Sequence, residues 1–141
     1  MRYLLDTNVV SEWVKPAPSP AVVGWLDDVS EDDVFMSVIS FAELHRGVEL
    51  LSPGRRRARL QNWIEDDLTE RFRGRVLQID LAVAEAWGRL TARASRFGRS
   101  LSVMDAFFAA TAATNELVLA TRDVHAFDGL GIDLVNPWGS G

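Results

Sequence analysis

The chain has 141 residues, of which 48% are hydrophobic and 25% charged, a length and balance that suit one globular domain with a single core. It has no cysteine, which excludes disulfides, thiolate metal centres and thiol catalysis, and its two histidines, His45 and His125, lie too far apart in sequence to pair around zinc. The net charge of −5 hides an asymmetry: residues 55–99 hold eleven arginines against six acids, while the rest of the chain has four basic and fourteen acidic residues. That division fits a protein with a basic face and a separate acidic pocket, although the same arginines would also make an ordinary solvated helical surface. No apolar stretch is long enough to span a membrane, and the first apolar run is interrupted by Asp6 and lacks a signal-peptide pattern. A cytoplasmic location is therefore expected.

Turn signals divide the chain into alternating strands and helices. Residues 3–5 read as a short buried strand, and residues 7–14 as a short helix stopped before Pro16 and Pro18. Ser19-Pro20 is an N-cap followed by proline at the first helical position, with Val22, Val23 and Leu26 on the inner face. Residues 34–38 form the second strand, and 40–51 a helix ending at Pro53-Gly54. Leu60, Ile64, Leu68 and Phe72 recur at spacing four, so residues 55–72 make an amphipathic helix closed by Gly74.

A third strand spans residues 76–79. Residues 81–97 are a helix with Val83, Trp87, Leu90 and Ala94 on one stripe and Arg89, Arg93 and Arg96 on another, capped by Gly98. Residues 103–115 are rich in small side chains and read as a buried helix. Residues 117–120 and 132–135 are the last two strands. The alternation implies a single domain over residues 1–138, with a largely parallel sheet of about five strands and helices on both faces. Residues 139–141 are a short Gly/Ser tail.

Four acids fall just beyond apolar strand-like runs: Asp6, Glu43, Asp105 and Asp123. In such a sheet the carboxyl ends of the strands share the edge where ligands bind. Each acid also has a plainer role. Ser40-x-x-Glu43 and Ser102-x-x-Asp105 fit capping boxes, Asp6 would cap a helix starting at Thr7, and Asp123 would open a turn over residues 124–127. Taken singly, each reads as a cap. Taken together at one edge, with Lys15 the only lysine of the chain, they read as a site for a hard divalent cation with oxygen ligands, able to activate water against a phosphodiester. Asn8 would orient a ligand or water, or make a local helix-start hydrogen bond. Thr121 would bond a ligand carboxylate, or be a plain strand-end hydroxyl. His45 is expected at the surface and Trp63 and Trp87 in the core, and Asp128 is a further acid without an assigned role.

Leu4-Leu5-Asp6-Thr7-Asn8, Ser40-x-x-Glu43, Ser102-Val103-Met104-Asp105-Ala106, Ala120-Thr121-Arg122-Asp123 and Asn136-Pro137-Trp138 occur in this order, and together they resemble a PIN domain. More narrowly, the chain resembles VapC-type ribonuclease toxins of type II toxin–antitoxin systems, including the FitB-like branch. The resemblance implies a three-layer α/β/α fold, Mg²⁺- or Mn²⁺-dependent endonucleolytic cleavage of RNA to leave 5′-phosphate and 3′-hydroxyl ends, a homodimer, and inhibition by a cognate antitoxin. It places Asp6, Glu43 and Asp105 as the central acids, Asp123 as the fourth, and Thr121 as the hydroxyl before it. Arg89, Arg93 and Arg96 are the expected contacts to the RNA backbone.

Other classes fit less well. A haloacid-dehalogenase-type phosphotransferase needs a second acid where Asn8 stands. A phospho-receiver domain needs an acidic pair at the first strand and a lysine at the last. The non-enzymatic alternative is a catalytically silent PIN-like binding or assembly module whose acid pocket receives a partner's basic side chain.

Overall fold

The structure, a computed structural model, describes residues 1–139; Ser140 and Gly141, the end of the expected tail, lie outside the described residues. In chain order the elements are β1 (Tyr3–Leu5), α1 (Thr7–Val10) running into a 3₁₀ turn (Ser11–Val14), α2 (Pro20–Asp28), a 3₁₀ turn (Glu31–Asp33), β2 (Val34–Ser37) and α3 (Val38–Glu49). Then come α4 (Arg55–Asn62), a π-helical stretch (Trp63–Leu68), α5 (Thr69–Arg71), β3 (Val76–Leu77), α6 (Leu81–Arg96) and α7 (Val103–Thr114). β4 (Val118–Ala120), a 3₁₀ turn (Val124–Phe127) and β5 (Leu134–Val135) complete the described chain.

All five strands are parallel, in the order β3-β2-β1-β4-β5. The chain builds outward from β1 to one side, then crosses back to build from β4 on the other. That reversal is a topological switch point, and it lies between the carboxyl ends of β1 and β4. Alternation along the strands sorts the core into two layers. Leu4 and Leu119 are buried with Leu90, Ala94, Phe108 and Ala109 beneath α6 and α7. Leu5, Val34, Met36 and Ala120 are buried on the opposite face with Val9, Val22, Leu68 and Phe72. This is the expected three-layer α/β/α architecture.

The helix starts follow local chemistry. Ser19 Oγ accepts from the Val22 N–H ahead of Pro20, Asp80 Oδ1 accepts from the Val83 N–H, and Ser102 Oγ accepts from the Asp105 N–H. Gly74 and Gly98, at φ +78° and +70°, occupy the left-handed conformation that ends the helices before them.

Three expectations need correction. β2 stops at Ser37, whose Oγ accepts from the Ile39 N–H, so α3 begins at Val38 and Ser40 lies within its first turn. Glu43 therefore sits in the middle of α3 and is no capping-box partner. The helix expected over residues 55–72 forms, but it widens into a π stretch where Thr69 Oγ1 bonds the Ile64 carbonyl at 2.8 Å. The third and last strands are two residues each, because only those residues pair with their neighbours.

Candidate active site

Asp6 ends β1 at the switch point. Its N–H donates to the Ala120 carbonyl at 2.9 Å, which extends the β1–β4 pairing by one bond and pins the carboxylate over the crevice. The side chain is only 7% exposed. Across the crevice, Thr121 Oγ1 donates to Asp6 Oδ2 at 2.7 Å and accepts from the Asp123 N–H at 3.1 Å. One buried hydroxyl therefore fixes the inner acid and the backbone of the outer one. Of the two roles open to Thr121, the structure shows a hydroxyl bonded to a carboxylate at the site.

Asp6 stands in the helix N-cap position but makes no capping bond with its side chain. Its carboxyl is pushed up to about 6, chiefly by burial, with repulsion from Asp105 and Glu43 adding to the rise; the Thr121 hydrogen bond and the neighbouring Thr7 N–H oppose it. The two other central acids are thus close enough to Asp6 for their charges to be felt. Asp105, half-buried in the first turn of α7, gives its backbone N–H to the Ser102 cap; among the described residues its carboxylate makes no reciprocal capping bond. Glu43 reaches the site from α3 and accepts from Thr7 Oγ1 at 2.7 Å. Asp123 is exposed, and it lies where β4 gives way to the 3₁₀ turn of Val124–Phe127.

All these donors are oxygens, and Asn8 adds a buried side-chain carbonyl that, among the described residues, accepts no hydrogen bond. Buried acceptors are nearly always satisfied, so this one suits a water or a ligand donor. The chemistry fits a hard divalent cation. Among the described residues, however, no three acidic or histidine side chains are drawn close enough to form a closed ligand set. The inner acid is fixed, and the outer ones stand apart from it.

Outside the cluster the sequence expectations divide. His45 is exposed, as expected, and Asp128 faces His125 at 3.4 Å. Trp87 stacks on Phe107 with ring centroids 5.4 Å apart, a packing role. Trp63 is only half-buried: it packs on the core and also lines a hollow of about 230 Å³ walled by Thr7, Glu43, Leu44 and Leu60. Arg89, Arg93 and Arg96 are all exposed on α6, but Arg93 donates to the Leu130 carbonyl at 2.8 Å and so ties down the loop before β5. Sequence reasoning missed Thr7 and the proper place of Ser40, which approach each other to 2.8 Å across 33 residues of chain. It also missed Glu12, a buried carboxylate that accepts from the Ser19 N–H at 2.8 Å and packs against the Lys15 ammonium.

The PIN domain family matches residues 3–131. Toxin FitB of Neisseria gonorrhoeae is 38% identical over 135 residues, covering 96% of this chain and 97% of that protein. VapC ribonuclease Y4jK of Sinorhizobium fredii is 37% identical over 135 residues, covering 96% of each. The chain belongs to the PIN-domain family, in its FitB/VapC toxin branch. The crystal structure of FitAcB from Neisseria gonorrhoeae superimposes with a TM-score of 0.92 at 38% identity, covering 96% of this chain and 98% of that one. Both the resemblance and the PIN fold class expected from it are borne out.

Proposed function

We propose that this PIN domain is a metal-dependent endoribonuclease acting in the cytoplasm as the toxin of a type II toxin–antitoxin pair. The names of its FitB and VapC relatives support the reading. The observation that carries it is Asp6: a carboxylate buried at the sheet's switch point, within electrostatic reach of Asp105 and Glu43 and, among the described residues, with no paired cation. Such a cluster is repulsive until a positive charge enters it.

Asp6, Glu43 and Asp105, with Asp123 as the fourth acid, would hold Mg²⁺, or Mn²⁺ in its place. The bound cation would supply a lowered pKa for an attacking water and charge stabilisation at the scissile phosphate. The chain's own residues prepare the site. Thr121 holds Asp6 Oδ2 and the Asp123 backbone, Ser102 holds the Asp105 turn, and the Asn8 carbonyl offers a further acceptor. Arg89 and Arg96 are the stripe members free to meet an RNA backbone, because Arg93 is engaged with Leu130. The protein would act as a homodimer. A cognate antitoxin would silence it by placing an Arg or Lys among the four acids, where the side chain replaces the missing cation.

RNA cleavage assayed with Mg²⁺ and with EDTA tests this reading. Cleavage that EDTA abolishes and Asp6→Asn abolishes is the expected result. Protein that binds an antitoxin yet cleaves no RNA with either metal would instead be a catalytically silent binding module. Where cleavage is found, mapping the 5′ ends of cellular RNA after brief induction identifies the target.

A further inference from the structure

Thr7 adjoins one acid in the chain and bonds another through its side chain. It directly follows Asp6 and opens α1. Its Oγ1 donates to Glu43 Oε1 at 2.7 Å. The same Oγ1 lies 2.8 Å from Ser40 Oγ. A threonine hydroxyl has one proton, and here it goes to a carboxylate, which can only accept. Ser40 must therefore be the donor in the second contact. The chain of bonds has one direction: Ser40 to Thr7 to Glu43.

The fold explains why these groups meet. Ser40 and Glu43 are three residues apart on α3 and share a helix face. β1 and β2 are adjacent and parallel, so the first residue of α1 and the first turns of α3 emerge side by side at the same sheet edge. Ser40 is fully buried, so its hydroxyl has no water to turn toward. Among the described residues Glu43 accepts at Oε1 alone, and Oε2 has no hydrogen-bond partner.

We propose that Thr7, oriented by Ser40, is the positioning residue that sets Asp6 and Glu43 relative to each other for a divalent cation. The proposal rests on the reading of these acids as a cation site. Thr7 is joined to Asp6 by the chain itself and holds Glu43 by its side chain, so Glu43 is tied to the end of β1 that carries Asp6 while that bond stands. A merely structural tie between α1 and α3 would affect melting temperature and leave cation affinity of the folded protein unchanged.

Calorimetric titration of the metal-free protein with Mn²⁺, joined to steady-state RNA cleavage, separates these roles. Thr7→Val keeps the shape and removes the hydroxyl, so Mn²⁺ should bind about 10–100-fold more weakly, the loss usual when a partner of a metal ligand is removed. kcat should fall while KM for RNA stays within about twofold, since no RNA contact is lost. Thr7→Ser restores the hydroxyl and should restore Mn²⁺ affinity. Ser40→Ala should give a smaller loss of affinity in the same direction. Thr7→Val with wild-type Mn²⁺ affinity, or Thr7→Ser as impaired as Thr7→Val, overturns the proposal. If Thr7→Val does not fold, Ser40→Ala carries the decision: an unchanged Mn²⁺ affinity there overturns it. Wild-type protein that binds no Mn²⁺ overturns both this proposal and the cation-site reading, whereas wild-type binding matched by Thr7→Val overturns this proposal alone.

Discussion

Two buried carboxylates, six residues apart, have opposite surroundings. Glu12 has a cation of its own: Lys15 packs against it, and the Ser19 N–H bonds its other oxygen. Burial alone would raise its pKa, but these partners and the nearby Arg122 guanidinium outweigh burial and lower it. Asp6 has hydrogen bonds but no cation, faces Asp105 and Glu43, and is pushed up to about 6. Glu12 is a finished structural pair that pins the segment leading into α2. Asp6 is an unfinished one. The comparison teaches that burial does not mark a site; burial without a compensating charge does.

Neutralising each acid in turn should separate the two most widely. Asp6→Asn should reduce RNA cleavage by about 100-fold or more, because a cation ligand is worth several kcal/mol of transition-state stabilisation. Glu12→Gln should lower the melting temperature and leave cleavage by the folded fraction unchanged. Parallel assays of both variants, with melting curves, read the difference directly.

Acid titration sharpens the contrast next. Asp6 has a raised folded-state pKa, so its contribution favours the folded state at low pH and is lost as pH rises from about 4 through about 6. The full swing is on the order of 3 kcal/mol at 1.36 kcal/mol per pH unit. Glu12 has a lowered pKa, so its contribution is present above its unfolded value and lost as pH falls through its folded value. Denaturant melts of metal-free protein between pH 4 and 7 should show the Asp6 trend, and Asp6→Asn should flatten it. Protons compete with the cation, so Mn²⁺ affinity should also weaken below about pH 6.

Thr121→Val removes the donor to Asp6 and the acceptor for the Asp123 N–H. Stability should fall by about 1–3 kcal/mol, the usual cost of leaving buried polar groups unpaired, with weaker Mn²⁺ binding beside it. The smallest effect should come from the arginine stripe. Arg89→Ala with Arg96→Ala should reduce the salt slope of RNA binding by about 1.5, near 0.7–0.9 per phosphate contact. Arg93→Ala should instead loosen the loop it tethers, at about 1 kcal/mol of stability.

Much of the architecture was legible in the sequence because it is written in local signals. The strand cores, the Ser19-Pro20 and Ser102 caps and the helix-ending glycines each announce themselves within a few residues. Asp6, Glu43 and Asp105 were legible as acids beyond strand ends. What escaped depends on pairing at long range. Ser37 and Ser40 are equally good cap residues three apart, and only the pairing of Ser37 with Leu77 in the sheet decides where β2 stops. Thr7 finds its partners 33 and 36 residues away, and Arg93 finds its carbonyl 37 residues away. Glu12 resembles any helix acid until the fold buries it.

Asp6 is thus a buried charge waiting for a cation. Thermal melts of wild type and Asp6→Asn, each with EDTA and with Mg²⁺, separate that state from a simple helix cap. Asparagine keeps an N-cap residue and an acceptor for Thr121, so only the charge changes. Without metal the variant should melt higher than wild type, because like-charge repulsion and the burial penalty are relieved. With Mg²⁺ it should gain less than wild type, because stabilisation by a ligand falls with its affinity. A metal-free variant no more stable than wild type, with an unchanged Mg²⁺-induced shift, would contradict the account.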